Sequence, residues 1–291
     1  MQGGIHPAYT GATYLEICRA VKAEAPGMHV HAFSPLEVWQ GAKTLGLPLR
    51  DYLVQLKDAG LGTLPGTAAE ILDDEVRQVI CHDKVDTAQW LEVMRTAHGL
   101  GLRSTSTIMF GHMEKFEHWA RHLLHLRALQ VETGGITEFV PLPFVHMESP
   151  IYRKGKARRG PSFRETVLMH AVGRLALHPV IPNIQASWVK LGAEGVKACL
   201  RAGVNDMGGT LMNETISRAA GASHGQEMTA MDMEAMLRSM GRVPLQRTTA
   251  YGTPPADAKA RARAVTTPVA PVRIDFRKRE PAVATHGSCA A

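Results

Sequence analysis

The hydrophobic and polar positions along the chain alternate between a helical and a strand-like period. Apolar residues at helical spacing predict helices that begin near Thr13, Leu36, Pro48, Thr87, Glu114, Ser162, Ala193 and Thr229. Short apolar or β-branched runs between them predict strands at 28–33, 61–64, 104–109, 136–142, 180–188 and 204–206. Capping boxes are predicted at Thr13 with Glu16 and at Ser162 with Glu165. This alternation indicates an α/β fold whose parallel strands are joined by helical crossovers.

A polar residue or a glycine follows nearly every predicted strand. The six strands fit most of a (β/α)8 barrel of the TIM type, and an open doubly wound sheet is the competing topology. The polar strand ends favour the barrel, because a barrel gathers such residues at the mouth where its active site lies. The residues expected to converge there are Ser34, Thr63, His112, Glu138, Asn205 and Asp206.

The start of the chain has the sequence of a loop without the strand that should lead into it. Residues 2–7 contain the glycines and the proline of a strand-to-helix connection and run directly into a predicted helix. The prediction is therefore a partial barrel over residues 1–252, with its first strands missing and a helical extension at its C-terminal end.

Positive charge is concentrated near the C-terminus. The chain has a net charge of +6, and seven basic residues lie after residue 256 among alanines and prolines. This composition predicts a disordered basic tail over residues 253–291 and argues against nucleic-acid binding. The longest apolar runs are too short for a membrane span, and no signal sequence is present. Four dispersed cysteines without a C-x-x-C pair fit a reduced, cytoplasmic protein.

One histidine pair offers an alternative chemistry. His29 and His31 would point the same way from a strand, and with His112 and Asp206 they could hold a divalent metal in a barrel hydrolase. In such hydrolases the paired histidines lie on the first barrel strand, whereas a complete predicted helix precedes them here. The pattern gives only weak support to a metal-dependent hydrolase, and a non-catalytic barrel remnant is a further alternative.

Four short segments occur in a defined order along the chain. They are QGGIHP at 2–7, HVHAFSPLE at 29–37, MFGH at 109–112 and NDMGGT at 205–210. Together they resemble the radical S-adenosylmethionine enzymes that make the deazaflavin chromophore FO. PGTAAEIL at 65–72 and NETISRAAG at 213–221 favour the tyrosine-ligating part of FO synthase over the related futalosine-pathway enzymes of menaquinone biosynthesis, which stay the alternative.

The resemblance implies a transferase that joins the 4-hydroxybenzyl group of L-tyrosine to 5-amino-6-(D-ribitylamino)uracil. The cofactors it implies are a 4Fe-4S cluster and S-adenosyl-L-methionine, which together start the radical reaction. The partner it implies is the enzyme, or the fused half, that completes FO by cyclisation. No nucleic-acid or membrane partner is implied.

The resemblance also assigns roles to individual residues. It places four residues at S-adenosylmethionine: Gly3, Gly4, Ser34 and Glu70. It makes three residues candidates for holding tyrosine or the uracil: Glu138, Asn205 and Asp206. His112 is the catalytic candidate, because an imidazole moves protons near neutral pH.

The chain departs from the family at the cluster-binding loop. The C-x-x-x-C-x-x-C motif expected on the first strand is absent, and the four cysteines of the chain are too dispersed to replace it. We therefore predict no metal ligands in this chain and expect it to be inactive by itself.

Overall fold

The chain forms alternating helices and strands over residues 1, 5–211, 214–225 and 227–264, which the computed structural model describes. The strands are β1 (Val30–His31), β2 (Leu61–Leu64), β3 (Arg103–Phe110) and β4 (Ile136–Pro143). The helices are α1 (Gly11–Glu24), α2 (Pro35–Leu45), α3 (Leu49–Asp58), α4 (Asp74–Ile80), α5 (Thr87–Gly99), α6 (Phe116–Thr133), α7 (Pro150–Arg153), α8 (Phe163–Leu177), α9 (Trp188–Arg201), α10 (Ile216–Ala219), α11 (Ala230–Ser239) and α12 (Ala258–Ala264).

The strands form one parallel sheet in the order in which they occur along the chain, β1-β2-β3-β4. Two parallel bridges, Phe139 to Ile184 and Gln185 to Asp206, continue this order. A sheet that grows from one edge in chain order is typical of a barrel, whereas a doubly wound sheet reverses its order. The predicted α/β class and the partial barrel are confirmed, although the strands predicted at 180–188 and 204–206 are reduced to single bridges.

Met1 extends the sheet beyond β1. Its amino group donates to the carbonyl of His31, and its own carbonyl accepts from the N–H of Phe33 at 3.1 Å. These two bonds are those of a parallel pair between Met1 and Ala32. The loop that enters α1 therefore starts from a sheet position.

Two hydrophobic clusters cover the outer face of the sheet. One packs α1, α2 and α3 against β1 and β2 around Tyr52, Leu53 and Leu56. The other packs α6, α8 and α9 against β3 and β4 around Ile108 and Phe139. Helix α5 contributes to both clusters. Because side chains alternate along a strand, the opposite face of β3 carries residues that lie away from the helices and line the barrel interior.

Several local predictions need correction. Helix α1 begins at Gly11 after Thr10, so the capping box predicted at Thr13 does not form. Asp86 caps α5, because its carboxylate accepts from the N–H of Gln89, while the Thr87 hydroxyl donates to Asp74. Helix α4 was not predicted. The capping box at Ser162 is confirmed, and a further capping box joins Thr229 and Asp232 at the start of α11.

The start of the predicted tail contains a helix. Ala258–Ala264 form α12, which buries no residue. Alanine, arginine and lysine have high helix propensity, and Arg261 pairs with Asp257 one turn earlier, so a short exposed helix forms despite the absence of a buried face. The part of the prediction that concerns residues 265–291 lies outside the described residues. None of the described helices is long and apolar enough to cross a bilayer.

Candidate functional site

A polar cleft of about 630 Å³ lies at the carboxyl ends of the strands. It is lined by Ile5, Ser34, Leu36, Glu37, Gln40, Thr67, Ala68, Glu70, Asp83, Lys84, Thr107, Met109 and Leu142. This is the end of a barrel at which ligands bind. Two residues predicted to contact S-adenosylmethionine, Ser34 and Glu70, are therefore in the same cleft.

The loop after β2 forms one wall of the cleft in an unusual backbone conformation. Ala68 and Glu70 have positive φ angles of 58° and 45°, which side-chain-bearing residues rarely adopt. Gly66 lies so close to β3 that a Cβ atom there would be 2.4 Å from the Cα of Ser106. Close packing below the loop thus requires glycine at residue 66.

Arg77 of α4 holds this loop from the inside of the protein. Its side chain is buried, and its guanidinium donates to the backbone carbonyls of four residues: Ala68, Ala69, Ile71 and Val85. A rigid fork with five N–H donors suits such a cluster of carbonyls. The strained wall of the cleft is therefore fixed by a residue that has no contact with the cleft.

Glu70 is paired with the cationic residue of the cleft. The Nζ of Lys84 lies 2.6 Å from Oε1 of Glu70, and both side chains are partly exposed. Burial favours the neutral amine, but the Glu70 carboxylate outweighs it and raises the pKa of Lys84. A carboxylate next to an ammonium group can accept from hydroxyl groups of a ligand while Lys84 receives an anionic group.

Ser34 has a structural contact in addition to its place in the cleft. Its hydroxyl donates to Oε2 of Glu37 at 2.8 Å and accepts from the Glu37 N–H at 3.4 Å, which is the capping box of α2. The Ser-x-x-Glu spacing was visible in the sequence, but this capping box was not predicted, and the cofactor role of Ser34 was taken from the family resemblance. That role stays a prediction.

His112 is buried and does not line the cleft. Its Nδ1 accepts from the N–H of Met113 at 2.8 Å, and its Nε2 is 3.0 Å from the carbonyl of Met109, so the neutral imidazole closes the turn after β3. Burial lowers the pKa of His112, in spite of Glu114 Oε2 at 3.0 Å from Nδ1. The catalytic role of His112 stays a prediction.

Glu138 and Asp206 are brought together by a residue from the C-terminal segment. Arg247 lies 3.1 Å from Oε2 of Glu138 and donates to Asp206, through Nη2 at 2.9 Å and also through Nε. The Tyr251 hydroxyl donates to the same Glu138 oxygen at 2.5 Å, and its ring lies against the Arg247 guanidinium at 4.0 Å. Gln185 donates to that oxygen at 3.0 Å. We call these five residues the lumen cluster.

The lumen cluster lies below the cleft. Glu138, Val140 and Leu142 lie on the same face of β4, because side chains alternate along a strand. Leu142 lines the cleft, and Glu138 lies two pleats below it. Burial raises the pKa of Glu138, although its hydrogen bonds with Tyr251 and Arg247 act in the opposite direction. The cluster forms a polar floor under the cleft.

The remaining predicted residues lie elsewhere. The Asn205 amide accepts from the N–H of Ile184 at 2.9 Å and from Arg174 at 2.7 Å, so it ties a sheet position to α8. These contacts favour a structural role, and substrate binding by Asn205 stays a prediction. Gly3 and Gly4 lie outside the described residues.

The described residues do not form the metal site of a barrel hydrolase. His29 and His31 both contact the Thr63 hydroxyl at 2.8 Å. Burial lowers the pKa of His31 to about 4. In the described part of the chain, the group with metal-ligand spacing is Asp73, Glu75 and His118. Asp73 and His118 are buried and Glu75 is exposed, and Arg121 pairs with both carboxylates. The hydrolase alternative therefore has no support in the structure.

The cysteines in the described ranges are also too dispersed for an iron-sulfur cluster. Cys18 lies in the core around α1, Cys199 in the core around α9, and Cys81 follows α4; all three are buried. Burial raises the pKa of each of these thiols, which disfavours the thiolate that iron requires.

Comparison with known proteins identifies the family. A family model described as the CofH/MqnC C-terminal region matches residues 133–259. The 5-amino-6-(D-ribitylamino)uracil--L-tyrosine 4-hydroxyphenyl transferase of Methanopyrus kandleri is 50% identical over 251 residues, which are 86% of this chain and 68% of that protein. The chain belongs to the FO synthase family. The predicted resemblance is confirmed.

Other similar proteins in this family are longer. The FO synthase of Streptomyces coelicolor is 54% identical over 263 residues, which are 90% of this chain but 30% of that protein. Among solved structures, the crystal structure of methylornithine synthase (PylB) has a TM-score of 0.54 at 18% identity and covers 81% of this chain and 64% of that one. At this identity the likeness shows the fold alone.

Sequence reasoning missed four residues that form or support the candidate site: Arg77, Lys84, Arg247 and Tyr251. Arg247 and Tyr251 follow the last amphipathic helix in a segment with no period, and they reach Glu138 across 109 and 113 residues. No local pattern signals such a contact. A basic residue six to nine positions after a loop, as with Arg77 and residues 68–71, is equally unspecific.

Proposed function

We propose that this chain provides most of the barrel of a radical S-adenosylmethionine transferase of the cytoplasm. The enzyme joins the 4-hydroxybenzyl group of L-tyrosine to 5-amino-6-(D-ribitylamino)uracil in FO biosynthesis. The observation that carries the proposal is the 50% identity to the 4-hydroxyphenyl transferase of Methanopyrus kandleri. The chain covers 68% of that protein. The partner we propose is the activity that cyclises the product, on a separate protein or in the same polypeptide.

The cleft supports this proposal through its size and polarity. Its volume of about 630 Å³ is in the range that holds a small-molecule ligand of nucleoside size. S-adenosylmethionine has ribose hydroxyls, a carboxylate and a cationic sulfonium. Glu70 can accept from the hydroxyls, and Lys84 can pair with the carboxylate once a ligand separates the two side chains. Ser34 is proposed as a polar contact to the cofactor or its ribose, and the two glycines at 3 and 4 are proposed to lie beside its methionyl end.

The residues described do not fit a 4Fe-4S cluster, because three buried cysteines in separate elements cannot converge on one ion group. The cluster supplies the electron that cleaves S-adenosylmethionine in this class of enzyme. We therefore propose that the protein residues of this chain bind and orient the substrates and keep water out, and that the cluster is bound by another segment.

The experiment compares two forms of the protein. One is this chain, and the other is this chain joined at Met1 to a segment that carries a C-x-x-x-C-x-x-C loop. Both are reconstituted anaerobically with iron and sulfide and given S-adenosylmethionine, L-tyrosine and the ribitylaminouracil. We expect the joined form alone to bind a stoichiometric cluster, release 5′-deoxyadenosine and form the coupled product, as measured by mass spectrometry.

The matched control replaces the three cysteines of the added loop by serine, which should abolish all three signals. Turnover of a futalosine-type substrate in place of tyrosine and the uracil would favour the menaquinone branch instead. Cluster binding and 5′-deoxyadenosine formation by the unextended chain would contradict the proposed division of roles. In the joined form, His112→Ala should retain the cluster absorbance and lower turnover if His112 moves protons.

A further inference from the structure

The two carboxylates of the lumen cluster differ in how they are used. Asp206 is saturated: Oδ1 accepts from the N–H of Gly208 and from Arg247, and Oδ2 accepts from Arg247. In Glu138, all three donors converge on Oε2, whereas no donor among the described residues reaches Oε1. The Glu138 side chain keeps 9% of its surface exposed. Glu138 is thus held through Oε2, and its Oε1 can accept a hydrogen bond from a ligand.

The charge of the lumen cluster is not balanced within the described residues. Glu138 and Asp206 carry two negative charges and Arg247 carries one positive charge, while burial and the neighbouring carboxylates raise the pKa of Tyr251 and keep its phenol neutral. A buried carboxylate without a full counter-charge is unfavourable. A cationic donor that reaches Oε1 would remove this imbalance.

The position of Glu138 determines which ligand can bring such a group. Glu138 lies two pleats below Leu142 on the inner face of β4, under the cleft in which S-adenosylmethionine is proposed to bind. A substrate between the cleft and the floor would direct its polar end at Oε1. Of the two proposed substrates, L-tyrosine has an ammonium group.

We propose that Glu138 binds the α-ammonium group of the amino-acid substrate through Oε1, and that Tyr251 and Arg247 are positioning residues that hold Glu138 in place. This inference rests on the proposed function for the identity of the amino acid. It assigns a purpose to the segment after α11, which supplies Arg247 and Tyr251 to the lumen cluster.

The test measures ligand binding to this chain by calorimetry. The two ligands are L-tyrosine and 3-(4-hydroxyphenyl)propionate, which has the same phenol and carboxylate but no ammonium group. Glu138→Gln should raise the Kd of L-tyrosine about tenfold or more, as expected for a lost charge-assisted bond in a buried site. It should change the Kd of the propionate less than about twofold, because that ligand never makes the contact.

The positioning role of Tyr251 is tested by combining its substitution with that of Glu138. Tyr251→Phe should weaken L-tyrosine binding about threefold in the unaltered chain and have no further effect in Glu138→Gln, because residues that act through one another are not additive. Tyr9→Phe removes the hydroxyl of a partly exposed tyrosine and serves as the matched control. Thermal unfolding checks that each variant folds.

The outcomes separate the two proposals. If Glu138→Gln leaves the Kd of L-tyrosine unchanged, or weakens both ligands equally, the ammonium assignment is wrong while tyrosine binding stands. Additive effects of Tyr251→Phe and Glu138→Gln would overturn the positioning role of Tyr251. If neither ligand binds the unaltered chain, both this inference and the tyrosine part of the proposed function fail.

Discussion

Replacing Arg77 by methionine should destabilise the protein far more than an ordinary loss of surface charge. Methionine fills a similar volume in the core but donates no hydrogen bond. The carbonyls of Ala68, Ala69, Ile71 and Val85 would each lose a charged donor in a site where Arg77 itself is 2% exposed. The loop that lines the cleft would then have to find water or rearrange.

The expected loss in the free energy of unfolding is the balance of opposing contributions. An unsatisfied buried carbonyl costs about 1–3 kcal/mol, so four carbonyls set an upper bound near 12 kcal/mol. Removal of the guanidinium also relieves its own desolvation, and the loop can relax toward solvent. We expect a net loss of about 3–5 kcal/mol in the free energy of unfolding, which is the range for breaking one side of a buried charged network.

The assay is urea unfolding of the purified chain, followed by tryptophan fluorescence. Arg95→Met is the matched control, because Arg95 also makes two hydrogen bonds, but to the exposed Glu132. A surface pair of this kind contributes little to stability, because water and salt screen both charges. Limited proteolysis should in addition cut Arg77→Met first within residues 65–85. A loss for Arg77→Met no larger than that for Arg95→Met would refute the argument.

Three further predictions follow from the structure. Burial lowers the pKa of His122 to about 3, so the stability that is present above pH 6.5 should fall by up to about 3 kcal/mol by pH 4.5. His122→Asn should flatten this pH dependence in urea titrations at several pH values. Gly66→Ala should cost about 1–3 kcal/mol because its Cβ would meet β3, whereas Gly99→Ala, with nothing within 4 Å, should be neutral or stabilising in the same assay. Cutting the chain after Gly252 should change the free energy of unfolding by less than about 1 kcal/mol, because α12 buries no residue; a larger change would show that the tail packs on the barrel.

The elements that the sequence predicts best are those with a strong local pattern. The runs at 104–109 and 136–142 are rich in β-branched and apolar residues, and β3 and β4 match them within one residue at every end. The strand predicted at 28–33 contracts to Val30–His31, and those at 180–188 and 204–206 contract to bridges. Strand length depends on the neighbouring strand as well as on the pattern, and the neighbour is not visible in the local sequence.

The candidate site was predicted only in part for a related reason. Ser34 and Glu70 lie in the cleft, and both belong to segments that the family resemblance singled out. Glu138 and Asp206 were chosen as separate residues at strand ends, but the contact that joins them comes from Arg247. Helical and strand periods carry information over one element, whereas this network connects residues more than a hundred positions apart.

The position of Arg247 in the lumen determines the order in which parts of the newly synthesised chain can pack. Residues 5–211 can form the sheet and its helices while the chain is still being made, but two carboxylates then face each other in the barrel without a cation. The guanidinium that relieves their repulsion arrives only when the segment after α11 has left the ribosome. The barrel should therefore reach its final packing late, by docking of its C-terminal segment rather than by closure of its sheet.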